Sequence, residues 1–184
     1  MGDLFLALLH FPVLDKDGRI VTTAVTNMDI HDIARSAKTY GVRRFYVVTP
    51  VRALQLLARR ILEHWLSGYG STYNWTRKEA LELVELAEDL DRAVVAAERE
   101  AGRRPAIVAT SAREGPGRIS FDELRARLER EPVLLVLGTG WGLAPEVFER
   151  ADATLEPVRG TGPYNHLSVR AAAAVILDRL RAPR

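Results

Sequence analysis

Uninterrupted apolar runs recur along the chain as LFLALL, FYVV, AIVA and VLLVL, each stopped by a polar residue or a glycine. A strand with no polar alternation is buried on both faces, and such strands belong to parallel sheets clad by helices. The stretches between the runs carry helical periodicity instead. From Asp29 to Tyr40 the residues Ile30, Ile33, Ala34 and Ala37 share one face, with Asp29 and Asp32 early and Gly41 just past the end. Leu54, Leu57, Ala58, Ile61 and Trp65 form the stripe of a second helix. Thr76-x-x-Glu79 and Ser120-x-x-Glu123 have the spacing of capping boxes and predict helices over 77–101 and 121–130. Asp17-Gly18 marks a tight turn after the first strand, APEVFER reads as a short helix and ATLEPV as a further strand. Val169, Ala173, Ile176 and Leu180 give the last helix its core stripe. The expected fold is α/β: a mostly parallel sheet of about five or six strands with helices on both faces.

Nothing in the chain of 184 residues suggests a linker between domains, so one domain over 1–184 is expected. Apolar residues make up 47%, yet no apolar run approaches the roughly 20 residues that span a bilayer. Asp3 precedes LFLALLHFPVL and no small-residue cleavage site follows, so a signal peptide is not expected. There is no cysteine, which excludes disulfides and thiolate chemistry and fits a cytoplasmic location. The net charge of +2 is too small for indiscriminate nucleic-acid binding. Arginines nevertheless cluster at 43, 44, 52, 59 and 60 and at 103, 104, 113 and 118, while Glu79 to Asp91 is acidic. These clusters suit a polyanion-binding face or are ordinary surface arginines.

Ligands in open α/β sheets bind beyond the carboxyl ends of the strands. Three loops in that position are rich in glycine and small hydroxyl residues: TSAREGPGR, GTGWGL and RGTGPYNHLS. Each alone reads as a turn; together they suggest one pocket. GTGWGL spaces Gly138, Gly140 and Gly142 two apart, which is not the dinucleotide fingerprint, and no phosphate-cradling P-loop occurs.

TNMDIHDIARSAKTYGVRRFYVVTP, VLLVLGTGWGLAPEV and LEPVRGTGPYNHLSVRAAAAVIL together resemble the three ordered motifs of the SPOUT superfamily. These are trefoil-knot RNA methyltransferases that use S-adenosylmethionine (SAM), and the likeness extends over the whole chain to a compact, single-domain family within it. The resemblance implies a C-terminal deep knot, a homodimer, RNA (tRNA or rRNA) as substrate, SAM as methyl donor and no metal. It implies binding roles for Thr110 and Ser111, for Leu137, Gly138, Thr139, Gly140 and Gly142, and for Pro157, Gly162, Tyr164, Asn165, His166, Leu167 and Ser168. Asn27 and Arg35 resemble the Asn and Arg of the first motif in the ribose-methylating branch. An arginine is a poor base, so Arg35 is expected to orient ribose or phosphate, or else to pair with Asp32 one turn away. Among the four histidines, His166 lies inside the third motif and is the candidate base; His10, His31 and His64 are weaker candidates. The aromatic stretch HWLSGYGSTYNW reads either as a base-stacking surface or as packing. A non-catalytic RNA- or SAM-binding protein on the same fold is the alternative.

Overall fold

The computed structural model describes residues 2–162 and 164–183. In chain order its elements are β1 (Leu4–Leu9), a small hairpin of β2 (Val13–Leu14) and β3 (Ile20–Val21), α1 (Asn27–Thr39), β4 (Arg44–Val48), α2 (Arg52–Leu66), α3 (Gly70–Tyr73), α4 (Trp75–Leu81), β5 (Val84–Ala87), α5 (Leu90–Ala101), β6 (Ala106–Ala109), α6 (Phe121–Leu128), β7 (Val133–Gly138), α7 (Pro145–Glu149), β8 (Ala153–Thr154) and α8 (Val169–Arg181).

The apolar runs become the centre of a six-stranded sheet in the order β5-β4-β1-β7-β6-β8, with every pairing parallel. Along β1 the side chains alternate between two cores, as the two-residue period of a strand requires. Leu4, Leu6 and Leu8 pack with α1, α2, α4, α6 and α8. Phe5, Ala7 and Leu9 pack with α5 and α7 on the other face. The fold is thus the three-layer α/β arrangement expected from the uninterrupted apolar strands.

Local signals place most helix ends. Thr26 caps α1, its hydroxyl accepting the Asp29 N–H at 3.1 Å, so the helix starts two residues before the sequence pattern suggested and Asp32 falls in its second turn. Ser120 and Glu123 form the complete reciprocal capping box of α6. The expected long helix over 77–101 is not one element. Asn74, not Thr76, caps α4, which stops after Leu81. The chain then forms β5, the outer strand beside β4, before Asp89 caps α5. The ATLEPV strand shrinks to the two residues of β8.

Candidate functional site

The carboxyl ends of β1, β6 and β7 lie side by side in register. Leu9 is opposite Gly138, and the Thr110 N–H donates to the Val136 carbonyl at 3.0 Å. The loops leaving β6 and β7, and the segment entering α8, surround a cleft of about 760 Å3, within the size range of small-molecule sites. Of the residues singled out above, Thr110, Ser111, Leu137, Gly138, Thr139, Gly140, Gly142, Asn165, His166, Leu167 and Ser168 line it. Pro157 is buried behind the third loop, while Gly162 and Tyr164 lie on its exposed part; none of these belongs to the lining. Asn27 and Arg35 sit on the exposed side of α1, likewise outside the lining. Asp32 does not pair with Arg35; it accepts from Arg170 of α8 at 3.2 Å.

The first and third loops hold each other. Asn165 Nδ2 donates to the Ala112 carbonyl at 3.1 Å, and Arg159 bridges Glu114 at 2.9 Å and Glu156 at 3.2 Å, tying the third loop to the first. Ser168 caps α8, accepting the Ala171 N–H at 3.2 Å. The second loop is fastened to the β2–β3 hairpin: Trp141 N–H donates to Leu14 O and Leu14 N–H to Gly142 O, both at 2.9 Å. Gly140 makes this approach feasible. It has φ of +60°, and a Cβ there would stand 2.8 Å from the Leu14 carbonyl oxygen.

Several lining residues were not among the sequence candidates. Asp29 and Glu156 bring carboxylates to the cleft, Thr23 and Ala24 come from the segment after the hairpin, and Val158, Ala172 and Ile176 add apolar surface. Asp29 is held by Thr26 Oγ1, 2.6 Å away, and by Arg170, 3.4 Å away. No local motif marks these residues; they meet only through the topology.

Beneath the cleft lies a buried hydrogen-bond chain. Thr139 Oγ1 donates to Leu9 O at 3.0 Å and meets Thr23 Oγ1, which lies 3.2 Å from His10 Nδ1 and 3.5 Å from the His10 carbonyl oxygen. The buried His10 Nε2 has no hydrogen-bond partner among the described residues. Burial holds the His10 pKa below its ordinary value, opposed by the nearby Asp29 carboxylate. His166, by contrast, is exposed at the cleft, its ring edge-on to Tyr164 at 5.2 Å. His31 is buried against Trp65, with ring centroids 5.3 Å apart, and burial likewise lowers its pKa. His64 packs edge-on to the same indole. Among the described residues no three His, Asp or Glu side chains are grouped to hold a metal ion, and no helix is long and apolar enough to cross a membrane.

The donor set suits SAM. The apolar side chains of Leu137, Leu167 and Ile176 offer surface to an adenine, hydroxyl and amide groups surround them, and the Asp29 and Glu156 carboxylates favour a cationic sulfonium. Comparison with known proteins agrees. The family described as SAM-dependent RNA methyltransferase matches residues 3–182. An uncharacterized protein of Aquifex aeolicus is 44% identical over 97% of this chain and 88% of its own length. A Nitratidesulfovibrio vulgaris protein named tRNA (guanine-N(1)-)-methyltransferase is 49% identical over 97% of this chain, which spans only 42% of that protein. Among solved structures, the A. aeolicus TrmH/SpoU tRNA modifying enzyme superposes with a TM-score of 0.58 at 18% identity, covering 98% of this chain and 74% of that one. An enzyme of 2-OH methylation of C/U34 on tRNA gives 0.58 at 21% identity, covering 97% and 94%. An AdoMet-bound rRNA methyltransferase from Sinorhizobium meliloti gives 0.59 at 18%, covering 97% and 56%. With loops, cleft and relatives in agreement, the chain belongs to the SAM-dependent RNA methyltransferase family and shares the fold of the TrmH/SpoU tRNA modifying enzyme.

Proposed function

We propose that this protein methylates a nucleotide of tRNA or rRNA as a homodimer, with tRNA the first substrate to assay, and that the three-loop cleft holds the methyl donor. The observation that carries the reading is the convergence of the loops after β6 and β7 and before α8 on one cleft with two carboxylates. Most of the length of the tRNA (guanine-N(1)-)-methyltransferase relative lies outside the match, so its named acceptor is not carried over. The whole chain acts as one module, and its last segment forms the knot of the superfamily. Supporting the knot, β8 pairs outside β6 while α8 returns to α1, where Arg170 meets Asp29 and Asp32 and Tyr40 donates to Asp178 at 2.9 Å.

SAM, when bound, supplies an activated methyl group, and its sulfonium needs no metal to leave. The chain has three tasks. Gly142, where an added Cβ would meet nothing within 4 Å, lets backbone approach the ligand, while Gly138 and Gly140 make room for Leu143 and the Leu14 carbonyl, and Thr110, Ser111, Asn165 and Ser168 offer polar groups to it. Asp29 and Glu156 place negative charge near the donor. Arg35 and Asn27, exposed on α1, orient the ribose or phosphate of the acceptor, and His166 at the cleft takes up the acceptor's proton.

Transfer of labelled methyl from SAM to tRNA or rRNA tests this. Arg35→Ala and His166→Ala are expected to lower turnover, with Arg35→Ala leaving the affinity for S-adenosylhomocysteine (SAH) intact. A wild-type protein that binds SAH and RNA but transfers no label would instead be a binding protein.

A further inference from the structure

The segment HWLSGYGSTYNW is not absorbed by the donor cleft. Trp65 meets the packing need of this region: its ring is edge-on to His31, the Arg77 guanidinium lies 4.6 Å above it, and the α3 backbone rests on it. The approach at Gly70 is so close that a Cβ would stand 2.6 Å from Trp65 Cε3. With the contact made by Trp65, the neighbouring aromatics are left outside. Tyr69, Tyr73 and Trp75 are 74%, 73% and 71% exposed. The tyrosine rings stack on each other at 6.1 Å and 25°. Neither hydroxyl makes a hydrogen bond among the described residues.

Charge distinguishes the same stretch. From Arg52 at the start of α2 to Leu81 at the end of α4 the cations are Arg52, Arg59, Arg60, Arg77 and Lys78, against two acids, Glu63 and Glu79. The stretch is net +3 in a chain of net +2, so the remainder is net acidic. Exposed aromatic faces among cations are the means by which proteins hold unpaired nucleotides, stacking the bases and drawing the phosphates.

Helix α1 spans the distance between this patch and the cleft: Asp29 at its start lines the cleft, and Lys38 near its end pairs with Glu79 of α4 at 3.0 Å. Between these points the charges of Arg35 and Arg77 both act on His31.

We propose that α3 and the start of α4 form a stacking ledge for unpaired nucleotides of the RNA, beside the nucleotide delivered across α1 to the cleft. This rests on the RNA-methyltransferase reading. The ledge takes single-stranded rather than duplex RNA because only unpaired bases expose their faces.

The test compares the wild-type protein with Tyr73→Ala, Trp75→Ala and Trp75→Phe. Anisotropy titrations use a 12-nucleotide oligouridylate, a 12-base-pair RNA duplex and bulk tRNA. SAH affinity serves as the check on folding, and sedimentation reports the oligomeric state. Each alanine variant is expected to weaken oligouridylate binding about 5- to 150-fold, the range of a lost base–aromatic stack. Trp75→Phe retains most of the affinity, and duplex binding, SAH binding and assembly are unchanged. Wild-type binding to tRNA that the alanine variants fully retain would overturn the ledge alone. Loss of a dimer in these variants would overturn it too, making the patch a contact with a second copy. A wild-type protein that binds SAH but neither tRNA nor oligouridylate would overturn the RNA reading together with the ledge.

Discussion

Replacing Gly140 with alanine tests how the donor loop is held. An L-residue at φ of +60° costs about 1–2 kcal/mol. The added methyl would also stand 2.8 Å from the Leu14 carbonyl oxygen and 3.3 Å from Thr23 Cγ2, so the hairpin must recoil. Recoil stretches the two hydrogen bonds that join hairpin and loop, Trp141 to Leu14 and Leu14 to Gly142. Weakening one of these costs about 1 kcal/mol more. The total is about 2–3 kcal/mol, which for a chain of this size lowers Tm by about 4–12 °C. Moving the loop also weakens SAH binding, by about tenfold if one backbone contact to the ligand is lost. Gly102→Ala is the control: its φ is +76°, nothing lies within 4 Å of the added carbon, and it caps the end of α5, outside the cleft lining. It should lower Tm by the backbone strain alone, about 2–8 °C, and leave SAH affinity unchanged. Scanning calorimetry and SAH titration of both variants decide the matter. If Gly140→Ala matches wild type in Tm and affinity, the hairpin does not hold the loop in place.

Ser120→Ala removes the cap of α6, and about 1 kcal/mol and a few degrees of Tm should be lost, as melting curves will show. Arg170→Ala frees Asp29 and Asp32 from α8, and because the pair is partly exposed the loss should be no more than about 1 kcal/mol by urea denaturation. His10 titrates lower in the folded than in the unfolded chain, so below an unfolded value of about 6.5 the unfolded state takes up a proton that the native state refuses. Stability is therefore full above that pH and falls as pH drops through it, by up to about 1.4 kcal/mol per unit. Urea melts from pH 7.5 to 5.5 should show the fall, and His10→Asn should reduce its slope.

The sheet was legible because LFLALL and VLLVL carry no polar residue to turn outward, and the end of α1 and the start of α6 because Gly41, Ser120 and Glu123 act within a few residues of themselves, whereas the Thr26 cap that starts α1 went unread. Strand β5 was not legible. VELA follows a helical pattern without a break, and what makes it a strand is the open edge of β4, forty residues away, where the Phe45 N–H donates to Leu83 O. Thr76-x-x-Glu79 misled for a related reason, since Asn74 accepts the Arg77 N–H first and leaves Thr76 no cap to make. At the cleft, the glycine loops announced themselves as loops, but their shared pocket depends on strand order. Thr23 and Asp29 reach it from the segment that enters α1 and Glu156 from beyond β8, and no spacing in the sequence encodes their meeting.

The most direct test of the account is calorimetric titration of the folded protein with SAM and with SAH, repeated with Gly140→Ala. Saturable binding near one ligand per chain is expected, weakened in the variant. A folded wild-type sample that binds neither ligand would contradict the assignment of the three-loop cleft as the donor site.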